Sequence, residues 1–281
     1  MNYISPMNVL VVNYSGNVGK STISNYCLSE NLPDHNLLLV ETINSTPEYF
    51  GEKISAQDFS KIFEGMFESE VGTIVDVGSS NAESFMLKMS NEWLGSHDFF
   101  KYFIIPFTPF VKQQEDADEI IRMLVGLGID ASRIKLIFNM VDPRKDLNLQ
   151  FETLKAKQTI ELLGLSNINE IPRVNYFDFF NTIAQSGIPF EFVRNDQRNH
   201  QVEIMKVMKS PKLNADEKKV ELAKLRIHTL VKQGYNGYAK NLNEVFESLD
   251  LQPDIIYDDS NDAVIENAGE NTEPAPKAKK K

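Results

Sequence analysis

The sequence has very little cysteine and no long apolar run, and both absences limit what the protein can be. Cys27 is the only cysteine among 281 residues, so no intrachain disulfide can form, which fits a reducing compartment such as the cytoplasm. No run of about 18 apolar residues occurs, so no membrane-spanning helix is predicted. The opening residues 1–16 have no basic segment and predict a β-strand, not a signal peptide.

Histidine is also scarce, and the 29 lysines and arginines are outnumbered by 40 acidic residues. The four histidines are scattered, without the spacing of a metal site: His35, His97, His200 and His228. The formal net charge is −11, whereas proteins that bind DNA over a whole surface are normally basic. Any direct DNA contact is therefore expected to be local or to go through a partner protein.

Short apolar runs alternate with longer helical patterns over the first two thirds of the chain. The runs span residues 8–12, 37–40, 73–77, 102–106, 134–139 and 171–176. Helical patterns lie between them at 20–30, 48–67, 82–94, 113–127 and 149–163. Apolar strands separated by helices predict a doubly wound α/β fold with a mostly parallel sheet.

The character of the chain changes after about Pro189. Residues 199–208, 215–233 and 238–249 have helical patterns, and no strand is predicted among them. From Gln252 the chain is acidic and then rich in proline, alanine and lysine. We therefore predict an α/β domain at 1–195, a helical extension at 196–251 and a disordered tail at 252–281.

A glycine-containing turn joins the first apolar run to the first helical pattern, and it predicts a phosphate-binding P-loop. Its residues are Gly16, Asn17, Val18, Gly19, Lys20, Ser21 and Thr22. Backbone N–H groups in such a turn point at phosphate oxygens, and the following helix adds its positive end. Lys20 would contact the phosphates and Ser21 would supply a hydroxyl to Mg²⁺. The alternative is a turn that only joins a strand to a helix.

An acidic residue at the end of a neighbouring strand completes a site of this kind. Asp76 ends the run TIVDVG and is predicted to help hold Mg²⁺, with the Gly78 N–H near the γ-phosphate. The alternative for Asp76 is a residue that caps the next turn.

The loop resembles the ParA/MinD superfamily of ATPases, whose deviant Walker A pattern is KGGxGK[ST]. The chain follows this pattern from Ser15 to Thr22, with Ser15 in place of the early lysine and Asn17 in place of the second glycine. The string TIVDVG and the strand ending FNMVD add to the resemblance, which covers about residues 7–190. The serine resembles, more narrowly, StbB-type plasmid stability proteins.

The resemblance implies two further site residues. Glu41 ends the second apolar run where relatives carry an aspartate that places the attacking water, although a solvated strand end is the alternative. Asn139 ends the strand IKLIFN, where an amide would hydrogen-bond the base. Asp142 has the spacing of a guanine-reading motif, but Met140 stands in place of its lysine, so ATP is expected, with GTP as the alternative.

The resemblance also implies what the protein does. It implies ATP hydrolysis with Mg²⁺, a nucleotide-dependent homodimer, and plasmid partition or intracellular DNA positioning with a DNA-binding adaptor protein. In relatives the early lysine reaches the partner's phosphates, so Ser15 predicts slow hydrolysis without a partner. The C-terminal region has no apolar and basic amphipathic helix, so membrane attachment is not expected.

Two other classes of function use the same loop. One is a small-molecule kinase or synthetase, for which the sequence shows no set of acid and base groups. The other is a nucleotide-dependent binding module with almost no hydrolysis, whose helical C-terminus docks a partner.

Overall fold

The computed structural model describes residues 2–41, 51–55 and 58–257. Its main sheet has seven parallel strands in the spatial order β4-β3-β5-β2-β6-β7-β8. The strands are β2 (Val9–Val11), β3 (Asn36–Val40), β4 (Glu52–Ile54), β5 (Thr73–Val77), β6 (Tyr102–Phe107), β7 (Ile134–Val141) and β8 (Arg173–Asn175). A separate two-stranded antiparallel sheet joins β1 (Asn2–Ile4) to β9 (Ile255–Tyr257). The predicted doubly wound α/β fold is confirmed, and every pair in the main sheet is parallel.

Helices cover both faces of the sheet, and its strands are therefore buried on both sides. Those along the first half are α1 (Lys20–Ile23), α2 (Ser29–Asn31), α3 (Phe59–Phe67), α4 (Ser79–Leu87) and α5 (Val111–Gly126). A turn of π-helix at Ser24–Leu28 joins α1 to α2, and another at Lys88–Glu92 follows α4. The later helices are α6 (Leu147–Gln150), α7 (Glu152–Ala156), α8 (Thr159–Leu162), α9 (Phe179–Ser186), α10 (Phe190–Arg194), α11 (His200–Lys209) and α12 (Ala215–Leu249).

The long helix α12 shares a core with the sheet. Tyr238 and Leu242 from α12 pack in one buried cluster with Val9 of β2 and Val174 of β8. The division at residue 195 stays a prediction. Within the described part of the chain, no helix has the length and apolar character that crossing a membrane requires.

Four sequence predictions differ from the observed elements. The helix predicted at 48–67 begins only at Phe59; residues 52–54 form a strand, while 48–50 and 56–57 lie outside the described residues. The helix predicted at 149–163 is split into α6, α7 and α8, and Gln158 has a left-handed φ of 57° that an α-helix does not accept.

The helices predicted at 215–233 and 238–249 form one continuous helix, although Gly234 and Gly237 separate them in sequence. A Cβ atom at Gly234 would lie 2.4 Å from Cβ of Phe179, so this glycine lets α12 pack closely on α9. Packing therefore outweighs the low helix propensity of glycine. Of the tail predicted to be disordered, residues 255–257 pair with β1, and 258–281 lie outside the described residues.

Candidate nucleotide site

The predicted phosphate loop leaves the carboxyl end of β2, with β5 on one side of that strand and β6 on the other. The strands that follow β2 in the chain are therefore placed on both sides of it. Ligands of open α/β sheets bind at such a point, where the strand order reverses. The loop then enters α1, whose first residue is Lys20.

Two residues of the loop have left-handed backbone. Gly19 has φ 91°, and a Cβ atom there would lie 2.1 Å from Nδ2 of Asn139, so only glycine fits. Asn17 has φ 57°, a conformation that asparagine tolerates better than most residues. Asparagine at this position of the pattern is therefore compatible with the left-handed turn that the loop makes here.

Lys20 is held against its own loop. Its ammonium group donates to the carbonyl oxygens of Asn13, at 3.0 Å, and Ser15, at 2.8 Å. Burial lowers the pKa of Lys20 to about 8, while the carboxylates of Asp76 and Glu41 act in the opposite direction. Both carboxylates therefore lie close enough to affect the lysine that would bind phosphate.

Asp76 lies buried at the end of β5, beside the start of α1. Burial raises its pKa to about 6, while the nearby hydroxyls of Ser21 and Ser24 and the charge of Lys20 act in the opposite direction. Its Oδ1 is buried and has no hydrogen-bond partner. A buried carboxylate oxygen without a hydrogen-bond partner is unfavourable unless a ligand binds to it.

The residues present fit Mg²⁺. Among the described residues, no group of three or more His, Cys, Asp or Glu side chains could hold a metal ion by itself. Mg²⁺ commonly takes only one or two protein ligands and completes its shell with phosphate oxygens and water. The Asp76 carboxylate and the neighbouring Ser21 hydroxyl are a donor set of that kind.

Glu41 and Gly78 meet at the edge of the site. A Cβ atom at Gly78 would lie 3.3 Å from Oε1 of Glu41, so the carboxylate lies directly against the glycine backbone. The Gly78 N–H donates to the Val40 carbonyl oxygen at 3.0 Å. Contact of that N–H with a γ-phosphate stays a prediction, and it requires this bond to open.

Most of the predicted site residues line one cavity of about 410 Å³. Its lining residues are Gly16, Asn17, Val18, Gly19, Lys20, Ser21, Thr22, Glu41, Gly78, Ser79 and Met140. Asp76 and Asn139 do not line it, because both are buried beneath the loop.

Asn139 supports the loop from below. Its Nδ2 donates to the Val18 carbonyl oxygen at 2.9 Å, and its Oδ1 accepts from the N–H of Met140. The predicted contact of Asn139 with the base stays a prediction. Met140, which stands where a guanine-reading motif has lysine, lines the cavity with a left-handed φ of 55°.

A second cavity, of about 440 Å³, adjoins the first through Thr22, which lines both. Its other lining residues are Tyr26, Phe180, Ile183, Pro189, Phe190, Glu191 and Tyr238. The rings of Phe180 and Phe190 are nearly parallel, at 9°, with centroids 6.0 Å apart. The proximity of Phe180 to the loop depends on the fold and not on a local sequence pattern.

Comparisons with known proteins find distant structural similarity only. No family model and no curated protein matches the chain. MinD from Aquifex aeolicus is 15% identical with a TM-score of 0.40, and the match covers 68% of this chain and 90% of MinD. A putative plasmid partition protein from Borrelia burgdorferi, bound to AMPPNP, is 13% identical with a TM-score of 0.38. The match covers 86% of this chain and 98% of the partition protein.

The complex of Cyanothece McdA with ATP is 12% identical with a TM-score of 0.37, and the match covers 83% of this chain and 97% of McdA. Identities and TM-scores this low support no inference about activity. A proposal about activity must therefore be argued from the residues of the site.

Proposed function

We propose that this chain is a Mg²⁺-dependent ATPase of the ParA/MinD type. The observation that carries the proposal is the buried Asp76 carboxylate with an unpaired Oδ1, next to Ser21 and Lys20 at the start of α1. A loop that only joined a strand to a helix would have no need of a buried acid and a buried lysine, because burial disfavours both charges.

The proposed roles follow from position. Lys20 binds the phosphates, and the N–H groups of the loop surround their oxygens. Ser21 and Asp76 hold Mg²⁺, which supplies charge neutralisation of the phosphates. Glu41 borders the same cavity and positions the attacking water.

The aromatic cavity supports a nucleoside, not a simple phosphate, as the ligand. Thr22 connects it to the phosphate cavity, and the rings of Tyr26, Phe180 and Phe190 line it. Stacking of a base on an aromatic side chain contributes roughly 1–3 kcal/mol. The base and ribose would extend from Thr22 into this cavity.

The state of Asp142 favours adenine over guanine. Guanine reading needs a free carboxylate, but Oδ1 and Oδ2 of Asp142 accept from the Arg144 guanidinium at 2.9 and 3.1 Å. Hydrogen bonds from Arg144 lower the pKa of Asp142 to about 2, so this carboxylate is charged and paired.

For the biological role we propose plasmid partition or DNA positioning, with a nucleotide-dependent homodimer and a DNA-binding adaptor protein. The support is the resemblance of the loop, of Asp76 and of the segment IKLIFN to that superfamily. Hydrolysis of ATP with Mg²⁺, measured with and without DNA and a centromere-binding protein, tests this role. Stimulation by both supports it, and equal rates under all conditions contradict it.

One observation favours a second candidate, a nucleotide-dependent binding module with little hydrolysis. Lys20 is the only lysine or arginine among the described residues that line the phosphate cavity. A site with one cation stabilises the developing charge of phosphoryl transfer poorly. Tight ATP binding without turnover, under every condition above, would identify this alternative.

A further inference from the structure

The first turns of α5 contact the phosphate loop. The Ser15 hydroxyl donates a short hydrogen bond to Oδ2 of Asp116. The Gln113 amide donates to the Gly16 carbonyl oxygen at 3.2 Å. These contacts fix α5 against the loop at the position where the sequence has serine in place of lysine.

The same carboxylate holds a lysine. Nζ of Lys112 lies 3.2 Å from Oδ1 and 3.1 Å from Oδ2 of Asp116. Asp116 therefore contacts both Lys112 and Ser15. Its carboxylate group lies between the Lys112 ammonium group and the loop. The Lys112 side chain is 79% exposed, whereas that of Asp116 is 14% exposed. The lysine can move, and the acid that holds it is fixed.

A triphosphate needs more positive charge than the cavity provides. Its charge exceeds that of one Mg²⁺ and one lysine, and in related reactions a further cation stabilises the transition state. Lys112 has a flexible four-carbon stem and a compact charge, so it can exchange one oxyanion for another without rearranging the fold.

We propose that Lys112 is the second phosphate-binding cation of this site, and that Asp116 stores it when no nucleotide is bound. On nucleotide binding, the ammonium group leaves the Asp116 carboxylate and contacts phosphate oxygens, where it stabilises the charge that develops during hydrolysis. This inference rests on the proposed ATPase function.

The storage role predicts effects of opposite sign at two neighbouring residues. Lys112→Ala should lower kcat for ATP by roughly ten- to a hundred-fold, because one charge-assisted contact to phosphate is lost. Asp116→Asn should raise kcat several-fold, because Lys112 is released. The double variant should hydrolyse ATP at the rate of Lys112→Ala, since the acid acts only through the lysine.

Two control variants separate this role from support of the fold. Lys206→Ala removes a lysine of similar exposure, 67%, that pairs with Glu203 on another helix, and its rate should equal that of wild type. Ser15→Ala removes the contact of Asp116 with the loop but leaves the pair with Lys112, so it should not reproduce the faster rate of Asp116→Asn.

The outcomes distinguish this inference from the proposed function. If wild-type protein hydrolyses ATP and Lys112→Ala does so equally fast, the inference is wrong while the function stands. It is also wrong if Asp116→Asn lowers kcat as Lys112→Ala does, because a purely structural clamp would give that result. If wild-type protein shows no hydrolysis with Mg²⁺ and the proposed activators, the proposed function itself fails.

Discussion

Asn139 and Gly19 are in such close contact that a Cβ atom on the glycine would lie 2.1 Å from the asparagine amide nitrogen. The Asn139 side chain, near the carboxyl end of β7, is therefore part of the floor of the phosphate loop. This contact couples the shape of the loop to a strand more than a hundred residues away in sequence.

The contact predicts that Gly19→Ala loses nucleotide binding. Alanine would meet the Asn139 amide and would also have to adopt φ 91°, which costs about 1–3 kcal/mol for a residue with a side chain. Calorimetric titration with Mg²⁺ and AMPPNP measures the loss. The double variant Gly19→Ala with Asn139→Gly should recover only part of the affinity, because it removes the clash but not the strain. Full affinity in the single variant would contradict this account of the loop.

Asp76→Asn should make the free protein more stable at pH 7.5 while removing Mg²⁺-dependent binding. The folded-state pKa is raised from 3.8 to about 6, which corresponds to roughly 3 kcal/mol of unfavourable burial above that pH. The favourable contribution of the protonated acid is complete below pH 3.8 and is lost as the pH rises through 6.

The gain from Asp76→Asn should therefore shrink as the pH falls from 7.5 to 5, as followed by thermal unfolding. Asp58→Asn is the control, because Asp58 is half exposed and pairs with Lys61 at 3.1 Å. A gain that does not change with pH would show that another interaction causes it.

The aromatic cavity predicts that one substitution weakens binding of ATP but not binding of inorganic tripolyphosphate. Phe180→Ala removes one of the two stacked rings, so affinity for ATP should fall about five- to a hundred-fold. Affinity for inorganic tripolyphosphate, measured by competition, should not change. Phe192→Ala is the control, since Phe192 is similarly exposed and does not line the cavity. Equal losses for both ligands would place the base elsewhere.

Two glycines of α12 should respond in opposite ways to the same substitution. Gly237→Ala should stabilise the protein by about 0.5–1 kcal/mol, because alanine favours helix and the nearest atom lies at 3.7 Å, in Phe177. Gly234→Ala should destabilise it by about 1–3 kcal/mol, because the new methyl group overlaps Phe179. Urea unfolding of both variants measures the difference, and stabilisation by Gly234→Ala would contradict the close packing of α9 and α12.

The central part of the fold could be predicted from the sequence for a simple reason. Strands such as β5 and β6 are buried on both faces, so they are continuous apolar runs, and the turn before Lys20 stands between one of them and a helix. Site residues at strand ends, Asp76 and Asn139 among them, follow from the parallel order of the strands.

Other features depend on contacts that no local pattern encodes. The edge strand β4 is three residues long, and only its pairing with β3 distinguishes it from a helix start. The approach of Asp116 to Ser15 spans 101 residues of sequence. Nothing in the polar face of α5 identifies Lys112 as a neighbour of the loop.

Calorimetric titration of Mg²⁺ and ATP into wild-type protein and into Lys20→Ala tests the central claim most directly. Lys20 makes charge-assisted contacts to phosphate in this account, so its loss should weaken binding at least tenfold. Lys206→Ala should bind like wild type, and circular dichroism checks that each variant is folded. Binding of ATP to wild type and Lys20→Ala with equal affinity, or no binding to wild type, would contradict the assignment of residues 16–22 as a phosphate-binding loop.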